Sequence, residues 1–293
     1  MVARTLFFLI SLALLSGCAQ TANRYNSSAV DYLYPDSNPV VVKDEIPHLQ
    51  LPIKVGVAFV PVNQGLAGRR SGGWITGYVS GESDRQEVLT ESDKMKLLEK
   101  VSRRFEALEF VHAIEIIPSA YLVPRGSFPN LDQIRTMFGI DVIALVSYDQ
   151  AQFTDEGFAS ITYWTLVGAY IVPGEKNATH TMVDAAVYDI KSRVLLFRAP
   201  GVSYVKSTAT PVNLSEQLRI DRVNAFDMAA DDLIANLENQ LDRFKEKIKQ
   251  RPEEIRVTQR AGYSGGGFTG GMSAFLFAMI GGVGLWISYR GVR

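Results

Sequence analysis

The sequence predicts an α/β (α+β) fold in which one mixed sheet carries helices packed against it. Strands and helices alternate from Ile53 to Tyr148, strands alone follow, and one long amphipathic helix closes the folded region. Strand, helix, strand, helix, strand, three strands, helix is an order that a single sheet with helices on its faces accommodates.

Ile53 to Val60 opens the domain as an apolar run of the kind buried in a sheet. A long glycine-rich connection follows, Gln64 to Gln86, with Arg69, Arg70 and Trp74. Thr90-Glu91-Ser92-Asp93 forms a capping box, and Met95, Leu98, Val101, Phe105 and Leu108 continue at helical spacing. Ile114 to Ile117, before Pro118, is a short strand. A second helix is bracketed by Asn130 with Gln133 at its start and Gly139 past its end. Ile140 to Tyr148 is almost wholly apolar, so it is placed in the middle of the sheet.

Strands are then expected from Ala159 to Val172, Thr181 to Ile190 and Val194 to Arg198, the last two joined by a hairpin at Lys191-Ser192. In the closing helix, Asn213 and Glu216 suit the cap, while Phe226, Ala230, Leu233, Leu237, Leu241, Phe244 and Ile248 make one stripe. The domain organisation that follows is a signal peptide (1–17), a tether (18–50), an α/β periplasmic domain (51–250), a linker (251–264) and a sorting tail with a transmembrane helix (265–293).

The two ends carry the functional signals. Arg4 precedes an apolar stretch from Leu6 to Leu15, then Ser16-Gly17-Cys18, the order of an export signal. The apolar stretch is too short to stay as a spanning helix. Leu15-Ser16-Gly17-Cys18 resembles the lipobox of bacterial lipoproteins. That resemblance implies cleavage between Gly17 and Cys18 and a covalent diacylglycerol and N-acyl lipid on Cys18, since a thiolate is the group a lipid donor alkylates. Cys18 is the single cysteine of the 293 residues, so no disulfide forms within one chain. Ala19 and Gln20 follow with no Asp, which in that family implies an outer-membrane destination.

At the other end, a glycine-rich stretch from Ser264 precedes an uncharged run from Met272 to Tyr289, then Arg290 and Arg293. The run is just long enough to span a membrane, and the arginines place its C-terminus in the cytoplasm. Gly265-Gly266-Gly267, Phe268 and Gly270, with the apolar helix and terminal arginines, resemble the GlyGly-CTERM tail; together with a lipobox they resemble the rhombotarget lipoproteins. The resemblance implies that rhombosortase, a rhomboid-type protease, cuts the tail near Gly265, Gly266, Gly267, or at the second pair, Gly270 and Gly271. It also implies an inner-membrane precursor and an outer-membrane or surface-exposed mature form. A permanent anchor is the alternative, because Ala274, Ala278 and Gly282 recur at the spacing of close helix packing.

Val183 to Asp189 followed by Arg193 to Phe197, with the strand order above, is similar to envelope lipoproteins whose domain resembles the curli secretion protein and the N-terminal domain of TolB. A subunit of a curli-type secretion or pore assembly, and so a homo-oligomer, is a second expectation. Expected partners are otherwise membrane lipid and the lipoprotein processing and sorting machinery. Thirty basic against 31 acidic residues give a formal charge of −1, which points to no nucleic-acid partner.

Motifs of catalysis are missing from the sequence. His48, His112 and His180 have no neighbours at metal-ligand or triad spacing, so no metal, cofactor or enzyme activity is expected. Gly72-Gly73 beside Arg69-Arg70 reads as a solvated loop, and Asp231, Asp232, Glu238 and Asp242 as the wet face of the last helix. Residues 160–167 are apolar on both faces, fit for a buried strand or for a membrane or partner surface.

Overall fold

The computed structural model describes residues 20–35, 45–61, 89–156, 175–210 and 212–263. Gly17 and Cys18, the glycine-rich connection, the expected strand Ala159–Val172 and the tail with Gly265, Gly266, Gly267, Gly270 and Gly271 lie outside the described residues.

In chain order the elements are β1 (Gln20–Asn26), α1 (Ala29–Leu33), β2 (His48–Leu51), β3 (Ile53–Phe59), α2 (Glu91–Phe105), β4 (Val111–Ile117), α3 (Ser127–Phe138), β5 (Val142–Glu156), β6 (Glu175–Asp189), β7 (Leu195–Ala209), α4 (Leu214–Gln250) and β8 (Arg256–Gln259). The main sheet has the order β4-β3-β5-β6-β7, with β1 also paired to β5, so the apolar strand expected in the middle is there. β4, β3 and β5 run parallel, and β5, β6 and β7 antiparallel. The chain moves from β3 to β4 in one direction and back past β3 to β5 in the other. Crossovers of one hand then require helices on opposite faces. Accordingly α2 packs with α4 on one face, around Phe59, Leu98, Phe226 and Leu233. α3 packs with α1 on the other, around Ile117, Leu131, Ile134 and Leu145.

Local signals explain most boundaries. The Thr90 side chain accepts from the Asp93 amide at 3.2 Å and opens α2. Gly139 closes α3 at φ 63°, a left-handed conformation in which a Cβ is costly. α3 starts earlier than the sequence suggests, at Ser127, and Asn130 is not its cap. The Asn130 carboxamide is buried instead, accepting from the Tyr32 hydroxyl at 2.7 Å and the Val123 amide at 2.9 Å. Burial pushes the Tyr32 phenol above its usual range. Asn213 stands at the α4 N-cap, but its side chain accepts from Thr210, while Glu216 pairs with Arg219.

Three expectations are corrected. Residues 18–50 are not simply a tether: Gln20–Asn26 is a strand, antiparallel to β5 from Gln20↔Asp155 to Asn26↔Asp149. β5 outruns β3, whose register on it ends at Phe59↔Val146, and the free edge beyond needs hydrogen-bond partners. Residues 251–264 are not simply a linker, because β8 pairs in parallel with β2. The β6–β7 turn is longer than Lys191-Ser192. It spans Ile190 to Val194, with Arg193 at φ 64° and the Asp189 carboxylate accepting from the Ser192 amide at 3.0 Å.

Candidate functional site

On the sheet face beneath α4, residues point inward at every second position. Near the start of β5 those positions are Ala144, Val146 and Tyr148, with Val183 and Ala185 on β6, and the α4 residues above are Phe226, Ala229, Ala230 and Leu233. Further along the same strands the same positions become Gln150, Gln152 and Thr154 on β5 and Asn177, Thr179 and Thr181 on β6, all buried. The first turns of α4 lie over this second set. Gln152 Nε2 donates to the Leu218 carbonyl at 3.0 Å and to Thr179 Oγ1 at 3.1 Å. Gln150 Nε2 donates to Thr181 Oγ1 at 2.6 Å, and Gln217 Nε2 to the buried Asp221 at 2.9 Å. Ser203 Oγ donates to the Ala225 carbonyl at 2.7 Å, and Ser207 also donates to Asp221. Hence the distal half of the sheet is joined to its helix by a polar seam.

Among the described residues, no helix lies on the opposite face of that distal half. The uncovered positions are Phe153 on β5, His180 and Met182 on β6, and Val202, Tyr204 and Lys206 on β7. The His180 ring lies 4.2 Å from the Tyr204 ring and 5.9 Å, edge to face, from Phe153. Lys206 Nζ stands 5.0 Å above the Tyr204 ring. Val202 and Tyr204 are 59% and 47% exposed, enough to offer an apolar row to a partner instead of to the core. Between this row and the covered part of the face, Arg198 is ion-paired to Asp184 at 2.7 Å. Aromatic rings with a cation beside them can bind apolar and aromatic surfaces or stack on rings.

The β7 edge is partly blocked. Asp232 accepts from the Val202 amide at 2.9 Å, and Asn236 donates to the Pro200 carbonyl at 2.9 Å. Such caps disfavour an incoming strand at that point and leave the open face as the accessible surface.

The sequence-derived candidates are dispersed. His48 Nε2 lies 2.8 Å from Thr258 Oγ1 and bridges β2 to β8, His112 is exposed on β4, and His180 belongs to the aromatic row. Among the described residues there is no group of three His, Cys, Asp or Glu placed to hold a metal ion. Two of the carboxylates read as a wet face in fact join helices: Asp231 pairs with Lys100 at 2.8 Å, and Glu238 with Arg104. Among the described residues no helix is long and apolar enough to cross a membrane. The aromatic row had a partial sequence signal, the alternation of Val202, Tyr204 and Lys206, but nothing showed which face lacked a helix.

No family model matches the chain, and no curated protein matches it. Among solved structures, a neuraminyllactose-binding hemagglutinin homolog from Helicobacter pylori is similar with TM-score 0.37 and 11% identity, over 73% of this chain and 96% of that one. A DUF330 protein from Xanthomonas campestris gives 0.30 and 12%, over 70% and 94%. The PelC dodecamer from Paraburkholderia phytofirmans gives 0.23 and 9%, over 72% and 99%. Likenesses this weak identify no family.

Proposed function

We propose that the mature domain is a non-enzymatic binding or assembly module of the bacterial cell envelope, held by lipid on Cys18 and released from a C-terminal anchor by a rhomboid-type protease. The observation that carries this reading is the distal half of the sheet. The strand that begins two residues after Cys18 pairs there, Gln20 against Asp155, and the aromatic row of Phe153, His180 and Tyr204 stands beside it on the uncovered face. A lipid on Cys18 therefore holds that end of the sheet near the membrane, with the binding face alongside. The lipobox and the glycine-rich tail support lipidation and cleavage from sequence alone.

The test is the intact mass of the protein from native membranes, with peptide mapping of both termini. Lipid on Cys18 and a chain ending among Gly265 to Gly271 are the expected results. A chain running through Arg293 would establish the permanent inner-membrane anchor instead, and an unlipidated Cys18 would end the lipoprotein reading. For the module itself, Val202→Ser with Tyr204→Ser should abolish a native complex on non-denaturing gels without lowering the melting temperature. An unchanged complex would place the binding face elsewhere.

A second reading, a subunit of a curli-type assembly, is favoured by one feature. β5 and β6 stay paired out to Glu156↔Glu175, and the sequence they lead into, residues 157–174, contains no charged side chain. Cross-linked oligomers and leakage of loaded vesicles would favour it; a monomer that leaves vesicles intact would exclude it.

A further inference from the structure

The core is filled unevenly on the two faces of the sheet. On β5, Ile143 and Leu145 face α3 and α1 and are fully buried, whereas Ala144 between them, on the α4 side, is only half-buried. Val55 on the neighbouring β3 is half-buried as well, although Val57 two residues on is closed over. Both strands lie inside the sheet, so these residues border a space within the molecule. That space is a cavity of about 100 Å³. It arises from a difference in helix length. α2 ends at Phe105 and α4 runs on to Gln250, so among the described residues α4 alone lies above the sheet beyond the Arg104–Glu238 ion pair.

The lining restricts what can enter. Ser102 is its one polar residue, and the Ser102 hydroxyl is buried without a hydrogen-bond partner and adds no polar surface to the wall. An ordered water needs about three polar partners, so the cavity stays dry and takes apolar matter only. Size restricts further. Pockets that enclose a whole small molecule measure roughly 300 to 1,000 Å³, so only part of a ligand fits here. The lining runs from Ile53 to Val57 on β3 and from Val142 to Val146 on β5, about 13 Å at ~3.3 Å per residue. A small volume drawn out over that length suits a methylene chain better than a ring. The way in lies between the end of α2 and α4, where Phe105, Leu108 and Leu241 are half-buried.

We infer that this cavity is a binding site for the end of an unbranched alkyl chain, carried by an amphiphile whose polar head stays at the mouth. Binding there needs no hydrogen bond. Methylenes that leave water gain by apolar burial, and they supply the van der Waals contacts that the lining lacks. A fatty acid and a membrane phospholipid both carry such a chain, and the chemistry inside the cavity is the same for either. The site is separate from the aromatic row of His180 and Tyr204, which stands on the other face of the sheet, and does not depend on it.

The test uses the full chain in phosphatidylcholine vesicles, its mass confirming that it runs to Arg293. Two photo-reactive probes are added separately: palmitic acid with a diazirine near its methyl end, and phosphatidylcholine carrying that same chain. Cross-links are mapped by peptide mass spectrometry. Cross-links to peptides containing Val55, Ala144 or Leu241 are expected. Labelling by the free acid alone identifies a free amphiphile as the source, and labelling by the phospholipid identifies a membrane chain; either upholds the site. No cross-links at these residues with either probe overturns it. Ala144→Leu fills the cavity from the sheet side and Ser102→Leu from the helix side. Each should abolish those cross-links while the melting temperature holds or rises. Cross-links that persist in either variant overturn the inference, and Val202→Ser with Tyr204→Ser should leave them unchanged.

Discussion

The two halves of the α4–sheet contact use the same strands and the same helix but are held together by different physics. In the proximal half, Phe226, Ala229, Ala230 and Leu233 meet Val146, Val183, Ala185 and Ala199, and every member of the contact is apolar and buried. In the distal half, glutamine, threonine, serine and aspartate side chains meet helix carbonyls and one another. Apolar burial is strong and tolerant of direction, whereas an intramolecular hydrogen bond is worth only about 1 kcal/mol net. The distal half is therefore the weaker and more directional one, and Gln150 Oε1 and Asn177 Oδ1 are left buried there without partners. It is also the half that presents the aromatic row.

The most direct way to break this contrast is Leu233→Ala. Leu233 is fully buried, so its truncation should lower unfolding free energy by about 4 kcal/mol in denaturant titration. A loss near that of the polar seam would show that the proximal half is not the stronger one. Gly201→Ala comes next. Its Cβ would overlap the Ala229 carbonyl and stand 2.6 Å from Leu233 Cβ, so α4 must lift off the sheet at about 3 kcal/mol. A neutral result would mean that the helix is free to move there. In the seam, Gln152→Ala should cost only about 1 to 2 kcal/mol, and amides of 150–154 should exchange with solvent before those of 142–148. Equal protection of the two sets would erase the distinction.

The smallest effect lies at the far end of α4. Hydrogen bonds from Lys247 and then Arg251 hold the exposed Glu254 carboxyl below its ordinary 4.5. A carboxyl depressed on folding contributes stability above its unfolded pKa and loses it as pH falls through the folded one. Wild type should thus lose slightly more stability than Glu254→Gln as pH drops through the range below 4.5, and parallel curves would exclude a contribution from this cluster.

How far the sequence could be read follows from the same contrast. The proximal half announces itself in residue types: Ile140 to Tyr148 as a central strand, the α4 stripe from Phe226 to Ile248, and the caps at Thr90 and Gly139. The distal half does not. Glutamine, threonine and asparagine at inward positions look like a solvated edge, which hid the extension of β5, β6 and β7 to strands of 15 residues. β1 was hidden for a related reason, because Gln-Thr-Ala-Asn-Arg-Tyr-Asn has no alternation and owes its strand form to the free edge of β5. The exposed row was illegible because no residue pattern shows which face of a sheet the described helices leave open.

The pairing of β1 with β5 also has a mechanical meaning. Force applied to the Gln20 end of β1 along the strand axis lies at right angles to the hydrogen bonds that join it to β5. Those bonds are loaded together in shear instead of being unzipped one after another. Tension on the N-terminus is then shared along the whole of β1, and the joint resists a lengthwise pull better than its few residues would against peeling.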